Sequence, residues 1–237
     1  MKQIITQHGW GLNKHFWNDY KVDFLNNNWH WQDNERGYFS ENNYQAKWIK
    51  SNSKKEIRMT LCHSYGFHLM QKNILKEATH IVLINSFNNF LPVSNKRNLI
   101  LRSLKRMETK IIKDKPKDML KDFIYRSFMP NDINNSFKNI FYKSLESSNK
   151  TLLLRDLKEL YINRDFPVFL KKDCKIVFII SENDSILDNE SNNNFLVFLN
   201  KTLDRKPILI KLDHQGHCLN NLNLYEILLN TFNDLNV

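Results

Sequence analysis

Glycine is scarce in this chain: five of 237 residues, where average usage of about 7% would supply roughly 17. That shortage excludes collagen-like and glycine-rich repeat architectures, and no self-similar repeat is visible. Cysteine is scarce too, with Cys62, Cys174 and Cys218 alone, too few for a disulfide framework. Apolar runs stay short, as at Ile176–Ile180, far below the roughly 20 residues a membrane span requires. No signal peptide precedes the first β-rich run, so a reduced, cytoplasmic protein is expected. Acidic residues are the minority charge, 25 against 35 basic, for a formal net charge of +10. Hydrophobic residues nonetheless make up 41% of the chain, which excludes intrinsic disorder and allows a sizeable core.

What is abundant is lysine and asparagine, 26 and 33 residues, a bias that A/T-rich coding alone would also produce. Where glycine is this rare, Gly9, Gly11, Gly37, Gly66 and Gly216 mark candidate points of restrictive backbone geometry. Short apolar strands are expected at Lys2–Gln7, Trp29–Trp31, Ile57–Leu61, His80–Ile84, Lys175–Ser181 and Pro207–Leu212. A polar loop is expected over Gln32 to Gly37, and one helix over Phe67 to Lys76. Strands alternating with helices predict an α/β fold with a mostly parallel sheet of about six strands.

The middle of the chain breaks that rhythm. From Pro92 to Asp165 no strand is evident, only amphipathic helical stretches broken at Pro116 and Pro130. The last, Thr151 to Ile162, is opened by Ser147-Ser148-Asn149, which offers N-caps. A helical cap is therefore expected over 91–165, inserted into a core of 1–90 and 166–237. Between Lys96 and Arg164 lie 17 basic and eight acidic residues, a net of +9, so nearly all the excess charge sits in this insertion.

His63-Ser64-Tyr65-Gly66, between a strand and a helix, is the setting of a nucleophile elbow, where a sharp turn lifts the serine hydroxyl above the sheet edge. The usual G-x-S-x-G begins here with Cys62, and Phe67 is bulkier than the small residue common at its position. A serine nucleophile needs a base and an orienting acid, which in this arrangement follow it as acid, then histidine. Asp184 comes just after Lys175–Ser181, with Glu182 and Asp188 as rivals. His217 comes just after Pro207–Leu212, with His214 as its rival; Gly216 would let the His217 loop approach the nucleophile. Both lie at carboxyl ends of strands, where open α/β sheets place their sites. His217 would take the Ser64 proton while Asp184 fixes its tautomer. His8-Gly9-Trp10-Gly11 after the first strand supplies the remaining element. It assigns an oxyanion hole to the backbone N–H groups of Trp10 and Tyr65, with His8 in a structural role. A Cys62 nucleophile is disfavoured because it falls two residues early, inside the strand. No metal or cofactor is expected.

With these elements in place the chain resembles the α/β-hydrolase superfamily over almost its whole length. More narrowly it resembles the pimeloyl-acyl-carrier-protein methyl ester esterases of biotin synthesis. The resemblance rests on His-Gly-Trp-Gly-Leu-Asn at 8–13 with Trp17, His-Ser-Tyr-Gly at 63–66, Leu157-Lys158-Glu159-Leu160 with Asp165, Asp184, and Gly216-His217. It implies a serine carboxylesterase that removes the methyl group of pimeloyl-carrier-protein methyl ester. It also implies a sheet lacking the first strands of the usual eight. In those esterases cap arginines receive the acidic carrier protein; here Lys117, Lys121, Arg126, Lys138 and Lys143 are the candidates. Trp10 and Phe123 would line the acyl site. A monomer without nucleic-acid or membrane partners is expected. Two other readings stay open: a hydrolase of small esters or acyl thioesters on the same scaffold, and a non-enzymatic basic binding protein.

Overall fold

The computed structural model describes residues 1–39, 42–50, 55–162 and 170–235. Its frame is six parallel strands: β1 (Lys2–Gln7), β2 (Trp29–Asn34), β3 (Ile57–His63), β4 (His80–Ile84), β5 (Lys175–Ser181) and β6 (Ile208–Leu212). They lie in the order β2-β1-β3-β4-β5-β6. Side chains alternate between the two faces, as a period of two demands. Ile4, Leu61, Val82 and Ile179 pack into one apolar cluster; Ile5, Cys62, Leu83 and Phe178 pack into another on the opposite face. Cover on both sides explains why the central strands β4 (His-Ile-Val-Leu-Ile) and β5 read as continuous apolar runs rather than alternating ones.

Before β4 the chain forms α1 (Asn18–Asn26), α2 (Gly66–Leu69) and α3 (Lys72–Glu77). Between β4 and β5 come α4 (Arg97–Ile112), α5 (Pro116–Phe128), α6 (Asn135–Ser144) and α7 (Lys150–Glu159), with no strand among the described residues there. Helices α8 (Asn189–Thr202) and α9 (Leu224–Thr231) follow β5 and β6. Proline at the first position of α5 costs no hydrogen bond, and Asn134 and Asn149 cap α6 and α7 through their side chains. The expected boundary at 165/166, and Asp165 itself, lie outside the described residues.

Several boundaries differ from expectation; β3, for one, runs two residues past Leu61 to His63. β2 runs on to Asn34 because β1 supplies its ladder, and Thr6 and Trp31 both donate to Asp33 Oδ1. The segment expected as one helix is two, since Met70 and Gln71 take extended angles and Met70 Sδ meets the Asn34 amide. α7 begins at Lys150 and ends at Glu159, so Asn149 alone of the polar triplet is its cap.

The strand order locates the site. From β1 the chain moves to one side, to β2, and then returns to the other, to β3. The loops leaving β1 and β3 therefore diverge, and a crevice opens at their carboxyl ends. His8–Gly11 and Ser64 flank that crevice.

Candidate active site

Ser64 leaves β3 with a φ of 52°, a left-handed conformation that costs a non-glycine residue about 1–3 kcal/mol. Its N–H is held by Ile84 O at 2.8 Å, and helix α2 starts two residues later. The turn is possible because Gly66 is pressed against β1: a Cβ there would sit 2.4 Å from Gln7 O and 2.8 Å from His8 O. Phe67, though bulky, points to the far face, where it packs against Phe195 and is buried. Cys62 points to the same far face. Burial pushes its thiol pKa well up, so it is an inert core residue.

The structure brings the three expected side chains together. His217 Nε2 lies 2.8 Å from Ser64 Oγ, and His217 Nδ1 lies 2.7 Å from Asp184 Oδ2. Asp184 Oδ1 accepts from the N–H groups of Ile186 and Leu187 at 2.8 and 2.9 Å, which fixes the carboxylate. The Asp184 side chain is fully buried and that of His217 nearly so. The rivals are placed elsewhere. Glu182 and His214 are exposed, while Asp188 caps α8 and pairs with Lys96 at 3.0 Å.

Gly216 has a different reason from the one expected. A Cβ there would lie 2.3 Å from Met129 O and 2.7 Å from Ser127 O. The close approach is to the end of α5, not to the nucleophile. Cys218 N–H donates to Ser127 O at 2.7 Å in the same contact.

His8 is buried beside the site. Its ring bonds Gly9 O at 2.9 Å and accepts from Arg36 N–H at 3.2 Å. Nearby Glu35 accepts from the N–H groups of Gly37 and Lys14. Burial works to raise its pKa, but these bonds and the His8 contact prevail and draw it down to about 2. Gly37, with φ of 89°, thus belongs to a turn that braces the loop behind the site.

A cavity of about 410 Å3 opens above Ser64, within the size range of small-molecule sites. Trp10, Tyr65, Phe87, Met107, Phe123 and Leu157 contribute to its mostly apolar lining. Trp10 donates its indole N–H to Leu153 O on α7 at 2.9 Å and meets Phe123 edge-on at 5.3 Å.

Of the five cap cations expected to receive a partner, Arg126 alone lines this cavity. Lys117 pairs with Glu146, Lys121 and Lys138 lie over the Tyr142 ring at 5.4 and 5.8 Å, and Lys143 is exposed. Two cations not singled out in the sequence, Arg106 and Lys110 on α4, line the cavity instead. Lys110 pairs with Asp122 at 3.3 Å. Which face of α4 looks into the cavity depends on how α4 sits over the sheet, which periodicity does not encode.

A third feature carries no sequence signal at all. Arg36 holds Asp156 of α7 through two bonds of 2.7 and 2.9 Å, and Tyr38 Oη donates to the same carboxylate at 2.8 Å. Burial opposes the Asp156 charge, yet these donors hold its carboxyl below the usual range.

No protein-family model matches the chain, and no curated protein matches it. Solved structures do. A bromoperoxidase from Bacillus anthracis superposes with a TM-score of 0.72 at 12% identity, covering 98% of this chain and 92% of the other. The 2-hydroxy-6-oxo-6-phenylhexa-2,4-dienoate hydrolase from Rhodococcus sp. strain RHA1 gives 0.66 at 12% identity, covering 97% and 88%. An esterase from Exiguobacterium antarcticum gives 0.62 at 12% identity, covering 98% and 89%. The chain therefore has the α/β-hydrolase fold. No helix among the described residues is long and apolar enough to cross a membrane.

Proposed function

We propose that the protein is a serine carboxylesterase whose nucleophile is Ser64, with His217 as base and Asp184 as the orienting acid. The observation that carries this reading is the unbroken chain Ser64 Oγ–His217–Asp184, at 2.8 and 2.7 Å, at the floor of an apolar cavity. Ser64 Oγ attacks the ester carbonyl as its proton passes to His217 Nε2. The backbone N–H groups of Tyr65 and Trp10 receive the oxyanion. His217 returns the proton to the leaving alcohol, and water attacks the acyl-enzyme by the same route. Asp184 stabilises the imidazolium that forms twice in each turnover.

The substrate within this reading is a methyl ester of a pimeloyl chain carried on an acidic acyl-carrier protein, cleaved in biotin synthesis in a reduced cytoplasm. The resemblance at 8–13 and 63–66 supports it, as do the apolar lining and the net +9 between Lys96 and Arg164. Arg106 and Arg126 on the cavity wall give that charge a place beside the site. One of the similar structures is the Exiguobacterium antarcticum esterase, which favours small-ester hydrolysis as the second reading.

The test is direct. Ser64→Ala should lower hydrolysis of p-nitrophenyl butyrate by at least about 10⁴-fold, whereas Cys62→Ser keeps most activity; the reverse pattern overturns the nucleophile. Cleavage of pimeloyl-carrier-protein methyl ester then decides the substrate. In that assay Arg106→Glu with Arg126→Glu should raise KM for the carrier-protein ester and leave the butyrate ester nearly unchanged. Good butyrate turnover with no carrier-protein cleavage establishes the second reading.

A further inference from the structure

The loop that carries His217 has little backbone anchorage. β6 ends at Leu212. Among the described residues, the main chain of 213–220 makes a single backbone–backbone hydrogen bond, from Cys218 N–H to Ser127 O on α5. Its tie to the sheet comes from side chains.

The principal one is Asn85. It follows β4 directly, is wholly buried, and has a φ of 43°, a left-handed conformation that asparagine tolerates better than most residues. Its own N–H extends the ladder to β5 through Ile179 O at 2.9 Å. On one side its amide Oδ1 accepts from Ser181 N–H at 2.8 Å. On the other, Nδ2 donates to His217 O at 2.8 Å and Ser181 Oγ at 2.9 Å, with a longer contact to Gly216 O at 3.3 Å. An N–H on one side and carbonyls on the other leave one orientation for the amide. Ser181 is the last residue of β5, three before Asp184. One side chain thus joins the root of the loop carrying the acid to the main chain of the base. His63 adds a second donor, its Nε2–H reaching His217 O at 2.9 Å.

We infer that Asn85 is a positioning residue: it holds the His217 carbonyl and the root of the Asp184 loop in one frame, keeping His217 Nε2 in line with Ser64 Oγ. This rests on the reading of Ser64 and His217 as nucleophile and base. The imidazole gains and loses a proton twice in each turnover, and its loop has no strand ladder to resist displacement. A misplacement of about 1 Å at such a group can cost about 100-fold in rate.

The experiment uses the full chain with p-nitrophenyl butyrate. Asn85→Ala should lower kcat about 10- to 100-fold with KM little changed, in a protein that keeps its circular dichroism spectrum. Asn85→Asp keeps the volume and the acceptor for Ser181 N–H but removes the amide donor, and should lose as much. In both variants the downfield NMR resonance of the proton between His217 Nδ1 and Asp184 should shift or broaden, which a purely structural loss elsewhere leaves unmoved. Folded variants with kcat within about twofold of the parent, or with an unmoved resonance, overturn the inference. So does failure of both variants to fold, which would make Asn85 a residue of stability alone. The Ser64→Ala control separates the two readings. If it stays active, the esterase mechanism fails; if it is inactive while Asn85→Ala is not, the positioning role alone fails.

Discussion

Ser64 is the residue where conformation and chemistry conflict. Its φ of 52° is held by the bond to Ile84 O and by the packing of Gly66 on β1. Glycine adopts this region without the steric cost that a Cβ brings. Ser64→Gly should therefore be more stable than Ser64→Ala by about 1 kcal/mol, while both are inactive. Denaturant midpoints of the two variants check this, and equal midpoints would show that the turn is unstrained. The Ser64, Asp184 and His217 positions were readable from the sequence because each follows a strand end, and strand ends converge on one edge of a parallel sheet. The reason for Gly216 was not readable. Its neighbour is Met129 O, 87 residues earlier, and nothing local to either residue announces the contact.

Among the elements, α7 ties the helices between β4 and β5 to the loops that follow β1 and β2. Two separate ties reach it: the Trp10 indole on Leu153 O, and the Arg36 and Tyr38 donors on Asp156. Both ties start in loops that leave neighbouring strands, β1 and β2, and Leu157 on the same helix lines the cavity. Asp156→Asn keeps the shape but leaves the guanidinium without its charge partner. Arg36 is 22% exposed and can recover some hydration, so the loss should be about 2 kcal/mol, below the 3–5 typical of wholly buried pairs. Chemical denaturation measures it, and KM for the butyrate ester should rise as the Leu157 wall loosens. An unchanged midpoint would mean that α7 is held by its apolar face alone. The amphipathic pattern announces α7 as a helix, but Arg36 and Asp156 are 120 residues apart, and a charged pair so separated has no signature in sequence.

The whole molecule carries its charge unevenly and buries several titratable groups, which makes its stability depend on pH. Burial holds His63 neutral, its pKa well below the ordinary 6.5. His80 is shifted down as well, again chiefly by burial. The unfolded chain protonates these rings below about pH 6.5 and the native state does not, so stability falls as pH drops through that value. Glu35, drawn from 4.5 to about 2, adds a second loss between those values, because the unfolded carboxyl binds its proton first. Melting temperature should therefore be flat between about pH 7 and 8, decline below about 6.5, and decline more steeply below 4.5. His63→Gln should flatten the first step selectively; an identical profile in that variant would show that His63 does not contribute to it.

The sequence by itself determined which segments are strands, with ends good to two or three residues, and which serine, aspartate and histidine follow them. These are local properties, set by apolar periodicity and by the few residues that can turn a chain sharply. The tertiary structure alone decided which cations face the cavity, what Gly216 accommodates, how Asp156 anchors α7, and that Asn85 holds His217. Each of these is a contact between distant segments. Hydrogen bonds and close approaches of that kind depend on positions to within a few tenths of an ångström, which only the packed sheet and its helices supply.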